Sequence, residues 1–219
     1  RKLQKNGSNI LRMERDAATT IGIGGELKNS WTKNWKTTTG FDVYSDNIKS
    51  SRIDQSIIDG SSLSLRGLYP NDSKYKSISV FHLHHIRWNR WQFEAGSRYN
   101  QYHATIQDPT LGNITMQPKA LIFQAGGSVE LMNNLFIYGN ISEGFRAPNI
   151  DDLGTLGIVD FRYEQPNYDL QPEKSLNTEL GLKFYNNNVQ AEVSVFRTGL
   201  KNLITRIKTN QVINGYDVY

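Results

Sequence analysis

Apolar and polar residues alternate with a period of two along most of the chain. The clearest run covers residues 91–100, with one face of Trp91, Phe93, Ala95, Ser97 and Tyr99 and another of Gln92, Glu94, Gly96, Arg98 and Asn100. Because successive side chains of a strand point to opposite faces, this run predicts a β-strand with an apolar and a polar face. The alternation recurs at 121–131, 176–184 and 189–195, and less cleanly at 74–88. No segment shows the period of an amphipathic helix, so the chain is predicted to be all-β.

The connections between the predicted strands alternate between short and long. Each short turn contains asparagine, which tolerates the left-handed backbone angles of tight hairpins; these turns are 31–35, 88–91, 132–134 and 185–188. Longer polar loops lie near 46–68, 107–117, 147–172 and 206–215. The pattern predicts an antiparallel up-and-down meander of about eight or nine strands. All tight turns should then lie at one end of the sheet and all long loops at the other.

Aromatic residues cluster beside the short turns. All four tryptophans are there, at positions 31, 35, 88 and 91, and Phe136, Tyr138, Phe184 and Tyr185 flank the other two turns. An aromatic belt beside short turns, with long loops opposite, is typical of an outer-membrane β-barrel. Aromatic pairs also close hairpins in soluble sheets. A soluble β-sandwich, such as a ligand- or carbohydrate-binding module, therefore remains the alternative.

Composition narrows the possible classes of protein. The 219 residues include no cysteine, which excludes disulfides and thiolate metal sites. The net charge of +4 comes without a basic stripe interleaved with stacking aromatics, so no nucleic-acid partner is expected. Mean hydropathy is −0.55 and no apolar run reaches the ~18 residues of a spanning helix. Transmembrane strands are compatible with such values, because their apolar face is hidden in the alternation.

One region carries a recognisable combination of motifs. Residues 118–153 read PKALIFQAGGSVELMNNLFIYGNISEGFRAPNIDDL, and a Pro-Glu-Lys-Ser segment follows at 172–175 before the strand pattern of 175–204. A strand, an Asn turn and a strand ending in Phe-Arg-Ala-Pro, then a long loop and Pro-Glu-Lys-Ser, resemble the barrel of TonB-dependent outer-membrane receptors. The resemblance covers most of the chain from about residue 35 and is strongest in 118–204.

The resemblance implies a gated importer whose extracellular loops and plug capture a scarce nutrient, with TonB supplying energy. Residues 1–219 are then expected to be part of the β-barrel domain, with the plug and the TonB-binding segment elsewhere in a longer protein. Expected partners are a small-molecule nutrient such as a ferric siderophore, TonB through another part of the protein, and outer-membrane lipid. No cofactor is expected.

The motif itself admits a structural or a functional interpretation. Pro148 lacks an N–H and should end the strand pairing. Arg146 could be a rim clamp that ties the loop to neighbouring strands, or it could contact substrate. The candidates for substrate contact lie on the polar face and in this loop: Arg98, Arg146, Asp151, Asp152, Arg162 and Tyr163.

Catalysis and metal binding have little support in the sequence. Asp151 and Asp152 are paired carboxylates, but no apolar pocket or Ser/His partner accompanies them, so the protein is not expected to be an enzyme. A barrel lipase or protease would need a nucleophile near His103, and Ser97 lies on the apolar face. His82 and His84 should share a strand face while His85 points away, as lumenal or interfacial side chains, so no metal site is predicted.

Charge and histidine content bear on the ligand. The loop from Ala147 to Gln171 carries five carboxylates against Arg162 alone, and this field would repel an anionic chelate. The first sixteen residues offset it with Arg1, Lys2, Lys5, Arg12 and Arg15 if they are extracellular. Haem receptors of the family typically carry a histidine in this loop, but residues 149–164 contain none. The prediction is therefore an iron chelate or another small nutrient, without a haem ligand from this loop.

Overall fold

The computed structural model describes residues 2–4, 9–108, 112–150, 152, 157–159, 162–165, 167 and 169–219. The described residues form strands and no helix. The strands are β1 Lys2–Gln4, β2 Ile10–Ser30, β3 Trp35–Ser56, β4 Ser62–Arg66, β5 Ser73–Trp88, β6 Trp91–Asp108, β7 Gly112–Met116, β8 Lys119–Met132, β9 Leu135–Arg146, β10 Gly157–Val159, β11 Arg162–Glu164, β12 Glu173–Tyr185, β13 Gln190–Lys201, β14 Val212–Ile213 and β15 Tyr216–Asp217.

The long strands form one antiparallel meander in the order β1-β2-β3-β5-β6-β8-β9-β12-β13. This confirms the predicted fold class. The turns β2–β3, β5–β6, β8–β9 and β12–β13 span two to four residues. They lie at the same end of the sheet, because they are every second connection of the meander and successive connections of an antiparallel meander alternate between its two ends. Asn89 and Asn134 have positive φ angles of 53° and 67°, as expected for asparagine in tight turns. In the described residues β1 and β13 are not paired with each other, so the sheet is open.

The predicted long loops are partly strand. β3 continues to Ser56 and turns back as β4, and β6 continues to Asp108 and turns back as β7. The prediction of loops at 46–68 and 107–117 was therefore wrong at these positions. Burial still alternates there, because Ile48, Ser50, Arg52 and Asp54 are buried or half-buried and the residues between them are exposed. Polarity does not alternate, because polar residues occupy both faces, and the sequence pattern therefore did not reveal the strand. The later loops contain the small hairpins β10–β11 and β14–β15.

Cross-strand register defines two faces of the sheet. The polar face holds Asp42, Ser79, Asn100 and Ala120 in one row, and the apolar face holds Phe41, Val80, Tyr99 and Leu121 in the next. Residues 92–100 lie on the faces that the alternation predicted. The apolar side chains are exposed, with Val195 at 70% and Val193 at 65%. A sheet that leaves its apolar face open to this extent requires a nonaqueous environment or a large partner.

The buried core lies at the loop end of the polar face. Ala104 and Ile106 of β6, Ile114 and Met116 of β7, and Ile150 of the following loop form one cluster. Ile48, Tyr69, Tyr75 and Leu170 pack against it. The extended β6–β7 hairpin thus folds under the loops and fixes their positions relative to the sheet.

Aromatics at the tight-turn end divide between the two faces. Trp35, Trp88, Trp91 and Phe93 lie on the apolar face, and Trp31 stacks on Trp35 at 5.7 Å. Phe136 and Tyr185 instead stack at 5.2 Å on the polar face, opposite Glu130 and Gln190 in the register. The aromatic belt on the apolar face therefore contains fewer residues than the sequence indicated.

The histidines follow the predicted alternation. His82 and His84 share the apolar face, where the Trp35 Nε1–H donates to His84 Nδ1 at 3.2 Å. His85 lies on the polar face, 3.7 Å from Glu94. Across the described ranges, no helix has the length and apolar character needed to cross a membrane.

Candidate ligand-binding face and loop clamp

Arg146, the last residue of β9, is held between two carboxylates. Its Nη1 donates to Asp152 at 2.7 Å and its Nε to Glu173 at 2.8 Å, while Nη2 donates to both at 3.2 and 2.9 Å. The register places Arg146 directly opposite Glu173, the first residue of β12. Asp152 approaches from the other side because the loop turns back over the end of the strand. The planar guanidinium matches this two-sided arrangement of oxygen acceptors.

The same carboxylates fasten two further segments. Asp152 accepts the Asn149 N–H at 2.9 Å, and Asn149 Oδ1 accepts the Asp152 N–H at 2.9 Å. Glu173 accepts the Ile204 N–H at 2.9 Å. Arg146, Asp152 and Glu173, here called the loop clamp, therefore join the start of one loop, the start of β12 and the chain after β13. These are the contacts of a rim clamp.

The Phe-Arg-Ala-Pro segment is also fixed by packing. Pro148 is fully buried, and Ala147 and Ile150 are 8% and 5% exposed. The Tyr75 hydroxyl donates to the Pro148 carbonyl at 3.4 Å, and the Phe145 ring packs on Tyr102 at 5.7 Å. The segment thus ends the pairing of β9, as proline predicts, and anchors the loop on the core cluster.

Arg98 lies at mid-height on the polar face, away from the loop clamp. Its Nη2 donates to Asp42 at 2.8 Å and Ser79 at 2.6 Å, and its Nε to Asn100 at 3.0 Å. Its guanidinium lies 5.4 Å from the centroid of the Phe81 ring. Three neighbouring strands, β3, β5 and β6, are linked by this single side chain. Phe81, Leu83 and Ile122 are apolar residues on the polar face beside it, a departure from simple alternation.

Arg162 and Tyr163 belong to the small hairpin β10–β11. The Arg162 Nε donates to Glu164 at 2.9 Å, and the Arg206 Nε donates to the same oxygen at 2.8 Å. Glu164 is only 3% exposed, so two arginines compensate one buried carboxylate. The Tyr219 N–H donates to the Tyr163 carbonyl at 2.9 Å. Nearby, the Asp217 carboxylate hydrogen-bonds Lys208 and raises the pKa of its ammonium group.

A cleft of 450 Å³ opens on the polar face beside Asn149 and Ile150, in the loop that the loop clamp holds. Its lining combines the aromatic rings of Tyr69 and Tyr75 with Asp16, Asp46 and the apolar side chain of Ile150. A cleft lined by carboxylates, phenol rings and apolar side chains suits a small molecule with both apolar and hydrogen-bonding groups. In the described part of the chain no three His, Asp or Glu side chains lie close enough to hold a metal ion.

The predicted site residues fall into three separate groups. Arg146 and Asp152 contact each other, Arg162 and Tyr163 share the β11 hairpin, and Arg98 stands alone at mid-sheet. Asp151 lies outside the described residues, as do Asp160 and Arg1. The sequence reasoning missed Asp42, Glu164 and Glu173 as partners of these arginines. Alternation alone places a residue on a face, but it does not specify which residue of the neighbouring strand lies opposite.

Comparisons with known proteins agree with this architecture. The family model described as "TonB dependent receptor-like, beta-barrel" matches residues 4–219. The chain is 38% identical over 92 residues, 40% of its length and 8% of the relative's, to "Hemoglobin and hemoglobin-haptoglobin-binding protein A" of Haemophilus influenzae. It is 26% identical over 164 residues, 69% of its length and 20% of the relative's, to "Hemoglobin-haptoglobin utilization protein B" of Neisseria meningitidis serogroup C.

A solved structure shows the same fold. The copper transporter OprC superposes with a TM-score of 0.74 at 13% identity, over 89% of this chain and 31% of that one. The chain thus spans less than a third of the length of each of these three proteins. Since the family model covers nearly every residue, the chain belongs to the TonB-dependent receptor-like β-barrel family and is part of a bacterial outer-membrane protein.

Proposed function

We propose that the protein containing this chain is an outer-membrane receptor that takes up an iron-containing nutrient with energy from TonB. The observation that carries the proposal is the family match over residues 4–219. In this proposal the apolar face contacts lipid and the polar face lines the lumen. A plug domain and the remaining strands belong to other parts of the protein, and the activity is binding and transport rather than catalysis.

The dimensions of the apolar face support the membrane assignment. Along β5 its residues run from Trp88 to Ile78, ten steps or about 33 Å of strand. A tilt of about 40° reduces this to a band of roughly 25 Å, which is the height of the apolar band in outer-membrane barrels. The loop clamp and the 450 Å³ cleft then lie beyond the band, at the extracellular side, where an arriving ligand would first meet the protein.

A small iron chelate, such as a ferric siderophore, is the first candidate nutrient. The carboxylates of the 147–171 loop would by themselves repel an anionic chelate. However, Asp152 and Glu164 are each paired with arginine, and Glu164 with two. This pairing weakens the negative field at the rim and removes an objection to an anionic ligand. Of the predicted contact residues, Arg146 and Arg162 are already engaged, so they would act by shaping the rim as well as by charge.

Haem taken from a haemoglobin is the second candidate. The names of the two relatives from Haemophilus influenzae and Neisseria meningitidis favour it, because both refer to haemoglobin–haptoglobin. The sequence of the 147–171 loop contains no histidine, so a haem ligand would have to come from elsewhere in the protein.

Growth under iron limitation tests the proposal. A strain lacking the full receptor should fail to grow on one iron source that the parent strain uses, and a strain lacking TonB should fail on the same source. A defect with a ferric siderophore assigns the first candidate, and a defect with haemoglobin assigns the second. Normal growth of the deletion strain on every iron source tested would contradict the proposal. Titration of the purified receptor with haemin, followed at the Soret band, provides an independent readout for haem.

A further inference from the structure

Charged side chains are unequally divided between the two faces of the sheet. The register places the strand carboxylates on the polar face: Glu14, Asp16, Glu26, Asp42, Asp46, Asp54, Glu94, Glu130, Glu173, Glu179 and Glu192. Among strand residues of the main sheet with described side chains, Glu143 is the exception, and its carboxylate accepts the Phe123 N–H at 3.0 Å. The apolar face therefore offers almost no anionic partner to a cation.

The apolar face nevertheless carries exposed lysines, and they lie at its loop end. Lys49, Lys74, Lys76 and Lys119 occupy apolar-face positions of β3, β5 and β8, and all four are exposed. Here they are called the cationic collar. Among the described residues, no ion pair includes any of them, whereas Lys28 and Lys183 of the polar face pair with Glu26 and Glu192.

The collar begins where the apolar band ends. Lys76 is the next apolar-face position after Ile78, and Lys119 is the next after Leu121. Ile78 and Leu121 are 53% and 54% exposed, so the change from apolar to cationic occurs within one step of about 7 Å. In a membrane this boundary is the level of the lipid headgroups. The tight-turn end of the same face carries tryptophans instead.

Spacing in the collar suits more than one phosphate. Lys74 and Lys76 are about 7 Å apart along β5. Lys49 lies one strand away and two residues beyond the partner of Lys74, at about 8 Å, and Lys119 lies two strands from Lys76, at about 12 Å. A second basic group repeats the arrangement, because Lys174 and Lys201 are direct cross-strand partners. Like charges opposite each other destabilise a sheet unless an anion lies between them.

We infer that the cationic collar binds phosphate groups of lipid headgroups in the leaflet on the loop side of the membrane. The ammonium groups would donate to phosphate oxygens while the band below contacts the acyl chains. A lipid with two phosphates on its headgroup would contact several lysines at once. This inference depends on the membrane placement of the barrel and is independent of which nutrient the protein transports.

Lipid binding by the full receptor tests the inference. The variant K74Q/K76Q/K119Q removes three collar charges, and K28Q/K36Q/K183Q removes three charges from the polar face as a matched control. The probes are diphosphoryl lipid A, phosphatidylglycerol and phosphatidylcholine, and retention on the detergent-solubilised receptor is measured by native mass spectrometry. Because each surface lysine changes affinity for anionic lipid about fivefold, the collar variant should bind lipid A on the order of 100-fold more weakly. The control variant should bind as the parent protein does.

Three outcomes would overturn the inference: undiminished lipid A binding by the collar variant, an equal loss in the polar-face control, or equal retention of phosphatidylcholine by the parent. If the collar variant does not fold, K74R/K76R/K119R keeps the charge and should retain lipid A. Raising the salt concentration should release lipid A from the parent protein, because exposed charges are screened. Salt-independent retention would also count against the collar.

Discussion

At position 146 an exposed guanidinium makes four hydrogen bonds to carboxylates on two different segments. This explains why a charged residue precedes the proline that ends β9. The side chain of Arg146 is 43% exposed, whereas Asp152 and Glu173 are 15% and 19% exposed. Solvent screens the ion pairs on the arginine side, so the clamp orders the loop locally and adds little to the stability of the barrel.

The variant R146Q of the full receptor should therefore release the loop without unfolding the barrel. We expect a change of about 1 kcal/mol or less in the free energy of unfolding. We also expect up to about fivefold faster hydrogen exchange at the amides of Asn149 and Ile204, because their N–H groups donate hydrogen bonds to the clamp carboxylates. Hydrogen-exchange mass spectrometry measures this. R90Q in the β5–β6 turn is the matched control, and equal changes in both variants would contradict the clamp.

Gly67 shows a second constraint at the residue scale. A Cβ on Gly67 would lie 2.1 Å from Ser50 Oγ and 2.6 Å from the backbone nitrogen of Ser51. A backbone atom cannot move aside without disturbing the pairing of β3 with β4. We expect G67A to lower the free energy of unfolding by about 1–3 kcal/mol. G199A is the control, since its Cβ would meet nothing within 4 Å. The two variants are compared by the temperature at which half of the protein changes its electrophoretic mobility because heating has unfolded the barrel. An unchanged midpoint temperature for G67A would contradict the close contact.

At the scale of elements, alternation was sufficient to predict the central strands. Residues 91–100 and 121–130 lie on the predicted faces, because one face of these segments is mainly apolar, as burial in lipid requires. The same rule failed beyond residue 46, where β3 continues with polar residues on both faces. Hydrophobic patterning reports only on the part of a strand that crosses an apolar medium. Strand extensions in water are held by ladder hydrogen bonds and by hairpin partners such as β4 and β7.

The candidate site was less predictable than the strands, for a related reason. Arg146 was identified from its motif, but Glu173 lies 27 residues away in sequence and Asp42 lies 56 residues from Arg98. Which residues face each other depends on the register of several hairpins. Glu164 is buried by loop packing that no periodic pattern encodes. Motifs therefore located one partner of each pair, and the other partner depended on tertiary structure.

The tight turns carry a prediction of their own. Asn134 has a φ of 67°, in the left-handed region that β-branched residues avoid. N134I should destabilise the β8–β9 hairpin by about 1–3 kcal/mol and slow insertion of the barrel. The neighbouring N133I is the control, because Asn133 is not among the described positions with positive φ. Folding into lipid vesicles, followed by tryptophan fluorescence, compares the rates. Equal rates for the two variants would show that the turn geometry does not limit folding.

At the scale of the whole molecule, the sheet combines an exposed apolar face with two open edges. Ile21 at 73%, Val195 at 70% and Ile23 at 67% exposure illustrate how little of this surface is covered by the described residues. The polar face, by contrast, is internally paired by networks such as that of Arg98. The two faces thus require different surroundings, and one lipid-facing and one lumenal environment satisfy both.

The open edges lead to a prediction for the isolated 219-residue chain. Within the described residues, β13 has one neighbour in the sheet, and its other side presents unpaired N–H and C=O groups to any strand that approaches. With the apolar face also exposed, the chain in plain buffer should aggregate, and detergent should keep it dispersed. Size-exclusion chromatography with light scattering, with and without detergent, measures the mass. A monomer with a sharp melting transition in plain buffer would contradict the membrane assignment of the apolar face and would favour a soluble β-sandwich instead.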